Sequence, residues 1–385
     1  MKKIIIIGSG LSGLSCAHYL NKNKFDVKIF EKKAYPGGKV ASEKIDNFIC
    51  DAGFQVLLNN YNEVKRLGVY SKLDLKYFDS GAEIYSKRRN FKVFNPLFHP
   101  LKFSKSNIFS VFKIADIFKI LLLFVTFKIK KEKVGELFKK YFSNNSRKLF
   151  LEPFFKGIFL SKNLNTDTRF FLKIFKKFAL GKASLPLEGM SSLPKAIIDK
   201  GKLKINYDMQ LKDIRGNNAI FKNGDKYKFD FIILACPIYN IKSLIDINTN
   251  IKYNENKTLY ISSSKNVLKK SILLVPDENF KTNSIQCLTN ISEKYSNNNK
   301  SLYSLSTLYA ETDDKELMDE FLEITKLKSN DVRLIKSYTI KNSLPKTIKN
   351  IKPINNMYFI GDWSEEASID GAIKSGRLLA ENLEM

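Results

Sequence analysis

Apolar and polar positions alternate in three distinct ways along this 385-residue chain. Short unbroken apolar blocks occur at Ile4–Ile7, Ile232–Ala235 and Tyr358–Ile360. Blocks of that length suit strands buried on both faces. Period-two patterning marks Gly81–Phe94, through Ala82, Ile84, Phe91 and Val93, and again Leu203–Ile233, where Asn223-Gly224 reads as a hairpin turn. Further strands are expected at Thr258–Ser263, Ser271–Val275 and Ser301–Leu308, with Asn297–Lys300 as a loop tip. Helical spacing appears from Leu14 to Leu20, Tyr61 to Leu67, Asp314 to Leu327 and from about Ile369 onwards. The mixture predicts an α/β chain, α+β overall, without internal repeats or a long linker.

The third pattern is a strongly apolar, aromatic stretch from Ile108, interrupted by Lys113, Asp116 and Lys119. Its unbroken part, Ile120–Phe127, falls far short of the roughly 20 residues that span a bilayer. Lys128–Lys140 follows with six Lys against two Glu. Two readings stand: a core helix of a substrate domain, or a helix dipping into one leaflet beside a Lys-rich face. Either implies a greasy tunnel rather than a polar pocket.

The first apolar block runs directly into Gly8-Ser-Gly-Leu-Ser-Gly13, a G-x-G-x-x-G opening a helix. A second strand, Asp26–Phe30, ends in Glu31, 18 residues after Gly13. This context converts a weak motif into a dinucleotide signature. Gly8 permits a tight turn, Gly10 lets the backbone approach a pyrophosphate, and Gly13 lets the helix lie against the strand. The helix N-terminus, at Leu11 and Ser12, presents N–H groups to phosphate, and Glu31 can accept from ribose hydroxyls. A second glycine turn, Pro36-Gly37-Gly38-Lys39, offers a further backbone contact and a cation.

Charge adds less than its size suggests. The net charge is +26, yet only eight of the 65 basic residues are Arg, the residue that bidentate phosphate and base recognition favours. The spread of Lys beside Ile and Asn fits codon bias first, an anionic membrane surface second and nucleic acid a distant third. Cys16, Cys50, Cys236 and Cys287 are scattered, and His18 and His99 are the sole histidines; no disulfide framework or metal site is expected. Cys236 reads as a small residue at a strand end. The Met1-Lys2-Lys3 start with four Ile is too short for a signal peptide, so a cytoplasmic chain is expected.

Together, Gly8–Glu31, Pro36–Lys39 and Asp51-Ala-Gly-Phe-Gln-Val56 resemble the FAD-dependent amine oxidase superfamily, which includes carotene desaturases and protoporphyrinogen oxidases. Pro153–Leu160, Leu187–Pro194, Met357–Trp363 and Ser368–Arg377 fit the same resemblance. It implies a discontinuous Rossmann-like FAD-binding domain (residues 1–75, 190–250 and 345–385). An inserted mixed-sheet and helical substrate domain would take residues 76–189 and 251–344. It also implies cofactor contacts at Gly8, Gly10, Leu11, Ser12, Gly13, Glu31, Lys32, Gly37, Gly38, Lys39, Gly53, Gln210, Gly361, Asp362, Ser368, Ile369 and Ala372. Asp362 would hold the ribityl hydroxyls, and the final helix would aim its N-terminus at the flavin ring.

No cysteine follows Cys287, so the flavin is expected to be non-covalent FAD. Ser368 stands where amine oxidases place a cage tyrosine, which favours an isoprenoid or polyene substrate over an amine. Lys39 stands where Arg is more usual and lacks its fork. Oxygen or a quinone is the expected electron acceptor, and no catalytic base is identifiable. A flavin amine oxidase, or a prenyl-binding relative resembling GDP-dissociation inhibitors, remains the alternative.

Overall fold

The computed structural model describes residues 1–88, 90–125 and 132–384. Its organising element is a five-stranded parallel sheet in the order Ile205–Asn206, Phe25–Phe30, Lys2–Ile7, Phe231–Leu234, Met357–Phe359. Ile4–Ile7 and Ile232–Leu234 are buried at its centre, as unbroken apolar blocks require. Parallel neighbours need crossovers, and the long excursions between these strands supply them. One crossover carries an antiparallel meander, Leu211–Arg215, Asn218–Phe221 and Lys226–Lys228, turned at Gly224 with φ +94°.

Two helices lie side by side against this sheet. The final helix, Ile369–Glu384, meets the helix Leu11–Tyr19 so closely that a Cβ on Gly376 would stand 2.2 Å from the Ser12 carbonyl oxygen. The first turn of the final helix also carries Asp370, whose carboxylate accepts the N–H groups of Asn62 and Glu63 at 3.3 and 2.8 Å. Glu63 in turn binds Arg377 through both oxygens at 2.7 and 2.9 Å, with both side chains buried. Lys177 approaches Asp370 at 3.4 Å. This charged knot ties the C-terminus to the helix Asn62–Leu67.

A seven-stranded mixed sheet is the second large sheet. Its order is Val332–Ile340, Asn256–Ser263, Ser301–Thr307, Thr282–Cys287, Ile272–Leu274, Gly81–Ile84, Phe91–Phe94. Ile272–Leu274 pairs parallel with Gly81–Ile84, and the other neighbours are antiparallel. One face, through Leu259, Ile261, Ile285, Tyr303 and Leu305, packs on Leu317, Phe321 and Ile324 of the helix Asp314–Thr325.

Helices Ile114–Val125, Val134–Tyr141, Glu152–Phe159 and Thr168–Leu180 form a Phe-rich cluster centred on Phe138, Phe155 and Phe171. The expected apolar run from Ile108 divides into the helices Ile108–Val111 and Ile114–Val125. Part of the Ile120–Phe127 run and of the Lys128–Lys140 stretch lies outside the described residues. The core-helix expectation is corrected in one respect. Leu123 is buried and Ile117 and Ile120 pack on the Phe-rich core, but Asp116 is buried as well, while Ile114, Phe118 and Leu121 are exposed. The Ser143 hydroxyl at 2.5 Å and the N–H groups of Ser143 and Lys113 at 2.9 and 3.0 Å hold the Asp116 carboxylate. Burial pushes its pKa up, but these donors outweigh that and leave it below the usual carboxylate range. Among the described residues, no helix is long and apolar enough to cross a membrane.

Candidate functional site

The site begins where the strand Lys2–Ile7 ends. Gly8 has φ +108°, and a Cβ there would sit 2.6 Å from the Ala235 carbonyl oxygen. A Cβ on Gly13 would stand 2.1 Å from the Gly8 carbonyl oxygen, so helix and loop touch backbone to backbone. Gly10 differs, since its Cβ would enter open space. It precedes a helix with no side-chain cap and no acid in its first turn. The first-turn N–H groups, from Leu11 to Gly13, therefore lack intrahelical partners and point at that space. A pyrophosphate fits this cradle in both shape and charge.

The second glycine turn lies directly on the first. The Gly37 N–H donates to the Ser9 carbonyl at 2.9 Å, and a Cβ on Gly38 would lie 3.2 Å from the Gly10 Cα. Glu31 sits beneath, buried, with Oε2 accepting both the Ser9 N–H at 2.8 Å and the Ser9 hydroxyl at 2.9 Å. Its Oε1 accepts the Lys33 N–H at 3.1 Å and keeps lone-pair capacity for a ribose hydroxyl. Ser9 thus braces the loop on the carboxylate, a role the glycine spacing does not reveal. The Met209 N–H donates to the Glu31 carbonyl at 2.8 Å, which brings the exposed Gln210 alongside. Lys32 is exposed at the same edge.

The distant C-terminal residues converge on Lys39. Its Nζ lies 2.7 Å from Asp362 Oδ2, donates to the Ser343 carbonyl at 3.0 Å, and stands 4.8 Å from the centre of the Tyr253 ring. Lys39 therefore neutralises Asp362 by direct contact. Tyr253 and Ser343 have no local motif and were invisible in the sequence. Gly361 is needed because a Cβ would come within 2.3 Å of the Trp363 indole nitrogen. Trp363 is fully buried and donates to the Cys236 carbonyl at 3.3 Å. Burial pushes the Cys236 thiol, at the strand end, up to about 12.

Gly53, with φ +85°, leads into a loop held from two sides. The Phe54 N–H donates to Thr258 Oγ1 at 3.4 Å, and Gln55 Nε2 donates to the Lys39 carbonyl at 2.8 Å. Asp51 anchors the loop by accepting from the Ser42 hydroxyl, the Met190 N–H and the Tyr295 hydroxyl at 2.6, 2.9 and 2.7 Å. Burial nonetheless pushes its carboxyl up. Ser368 serves the helix first: its Oγ accepts the Gly371 N–H at 3.0 Å, and its carbonyl accepts the Ala372 N–H at 2.9 Å. Ile369 and Ala372 follow in the first turn of that helix.

These features define a dinucleotide-binding protein with a second, mixed sheet. The chain belongs to the family of flavin containing amine oxidoreductases, whose family model matches residues 11–323. It is 25% identical over 316 residues to protoporphyrinogen oxidase of Dictyostelium discoideum, covering 71% of this chain and 56% of that protein. It is 45% identical over 53 residues to 1-hydroxycarotenoid 3,4-desaturase of Flavobacterium sp., covering 14% of this chain and 11% of that one. The fold matches the crystal structure of an oxidoreductase from Methanosarcina mazei with a TM-score of 0.79 at 16% identity, over 98% of this chain and all of that one.

Proposed function

We propose that the protein is an FAD-dependent oxidoreductase that accepts a hydride from a largely apolar substrate, isoprenoid or polyene in type. The observation that carries this reading is the stacked pair of glycine loops over Glu31, facing the Lys39–Asp362 pair at the same edge of the parallel sheet. FAD, held without a covalent bond, would supply the hydride-accepting chemistry, with oxygen or a quinone as the final electron acceptor. The chain's own residues bind and orient. Gly10 and the helix start would take the pyrophosphate, Glu31 a ribose, and Asp362 the ribityl hydroxyls, with Lys39 offsetting its charge. Residues 1–75, 190–250 and 345–385 serve the cofactor; 76–189 and 251–344 serve the substrate.

The protein should be yellow when purified, with the flavin released by acid precipitation. A colourless protein that rejects added FAD would refute this reading. Glu31→Ala should weaken FAD by about 10- to 100-fold, because it removes a charge-assisted hydrogen bond and the brace on Ser9 together. Equilibrium dialysis against FAD measures the change.

The same reading places the protein in the cytoplasm, against an anionic leaflet. Leu97, Leu101, Phe109, Ile114, Phe118 and Leu121 are all more than half exposed within one short segment, flanked by the exposed Lys105 and Lys113. Large apolar exposure of this kind marks an interaction surface, and the flanking cations match anionic headgroups.

A further inference from the structure

The seven-stranded sheet has a second face, and it is polar where the first is apolar. Thr258 stands opposite Ser306, which stands opposite Ser284; Tyr260 stands opposite Ser304, which stands opposite Gln286. Tyr338 lies opposite Thr258 on the other side. Directly paired residues share a face, so these side chains form one continuous patch. Their neighbours Leu259, Leu305 and Ile285 point the other way, onto the helix Asp314–Thr325. Strand alternation of this kind normally puts the polar side in water. Here Thr258, Tyr260, Ser284, Gln286 and Ser304 are each at most 3% exposed.

The patch is also unsatisfied. The hydroxyls of Ser304 and Ser306, and both the nitrogen and oxygen of the Gln286 amide, are buried with no hydrogen-bond partner among the described residues. Buried polar groups are nearly always paired, so a cluster of orphans on one face calls for something to pair with them. Its location says what. At one end Tyr260 joins the core around Leu57, Leu58 and Leu302; at the other, Ile84 and Val93 join the Phe-rich helices. The row starts at Thr258, which accepts from Phe54 beside Gly53. It therefore runs from the loop assigned to the flavin towards the helical subdomain.

We propose that Gln286, Ser304 and Ser306 bind the oxygen-bearing end of the substrate. The molecule presented to the flavin is then an otherwise apolar alcohol or ketone rather than a bare hydrocarbon. The chemistry of the face sets this class. Its orphans are neutral groups that donate and accept, suited to a hydroxyl or carbonyl. Charged groups nearby are already engaged: Asp51 accepts three donors, Lys257 points through the other face to Asp314 at 2.7 Å, and Lys336 faces Glu43 at 3.8 Å. The proposal rests on the flavin reading for its orientation and refines the greasy tunnel expected from the helices alone.

The test uses the full-length protein, its Gln286→Met and Ser304→Ala variants, and two probes, phytol and its hydrocarbon counterpart phytane. Removing an orphaned amide relieves an unsatisfied group, so Gln286→Met should raise the ligand-free Tm by about 1–2 °C. Phytol should raise the wild-type Tm more than phytane does, and that advantage should vanish in Gln286→Met and shrink in Ser304→Ala. A lower ligand-free Tm in Gln286→Met would mean that the amide is already paired within the fold, and would overturn the proposal. So would phytol stabilising the wild type no more than phytane. Flavin absorbance of the same samples is read separately: its absence defeats the cofactor assignment, whereas the thermal shifts judge the polar face.

Discussion

The glycine edge of the parallel sheet and the outer helices of residues 97–125 treat apolar sequence in opposite ways. At the edge, Ile4–Ile7 are buried and the chain then turns with nothing but backbone between loop, strand and helix. In the outer helices, Asp116 is turned inwards and Ile114, Phe118 and Leu121 outwards. The first region is specified by steric contacts that leave no alternative. The second packs Val111, Phe112 and Leu123 into the Phe-rich core and fixes its helix start on one carboxylate, while its other apolar side chains stay exposed. A binding edge demands rigidity, whereas a docking surface requires only that its anchor hold.

Breaking the edge should have the largest effect. Gly13→Val puts a branched side chain where a Cβ already lies 2.1 Å from a carbonyl oxygen. A loss of about 3 kcal/mol or more is expected, read as insoluble protein or a missing thermal transition. Next comes Arg377→Met, which strands the buried Glu63 carboxylate. A cost of about 3–5 kcal/mol is expected, and a second change, Glu63→Leu, should recover most of it. Denaturant titration of the single and double variants tests the pair.

Asp116→Ala should cost less, about 1–2 kcal/mol for the lost helix-start bonds, and should open the outer helices to protease before the rest of the chain. The acid side of the stability profile sharpens this point. The folded carboxyl lies below its ordinary value of 3.8, so its contribution is present above that pH and is lost as pH falls through the folded value. Asp116→Ala should remove that segment of the pH dependence in a Tm series. The smallest effect on stability belongs to Ile114→Gln with Phe118→Gln, within about 0.5 kcal/mol because both side chains are exposed. The same pair should abolish flotation with phosphatidylserine vesicles. Retained flotation would remove the membrane role from this face.

Gly8, Gly10, Gly13, Glu31 and the Gly37-Gly38 turn were legible because each acts within a few residues of its neighbours, and local backbone geometry leaves a spacing in the sequence. The Lys39–Asp362 pair was legible only as two separate candidates, since 323 positions divide them. The brace of Ser9 on Glu31 and the cation over Tyr253 left no pattern at all. The strands of the mixed sheet were foreseen at Thr258–Ser263 and Ser301–Leu308, close to the observed Asn256–Ser263 and Ser301–Thr307. The burial of their polar face was not legible, because alternation reports that two faces differ and not what covers either one.

The sequence by itself determined the parallel-sheet nucleotide edge and the existence of a second, mixed region, because strand periodicity and glycine turns are short-range properties of the backbone. Only the tertiary structure decided which way Asp116 and Phe118 face, that Asp362 meets Lys39, and that a row of Ser and Gln side chains is buried without partners among the described residues. Those outcomes depend on which elements pack together, and the packing is chosen by the burial of the whole chain at once.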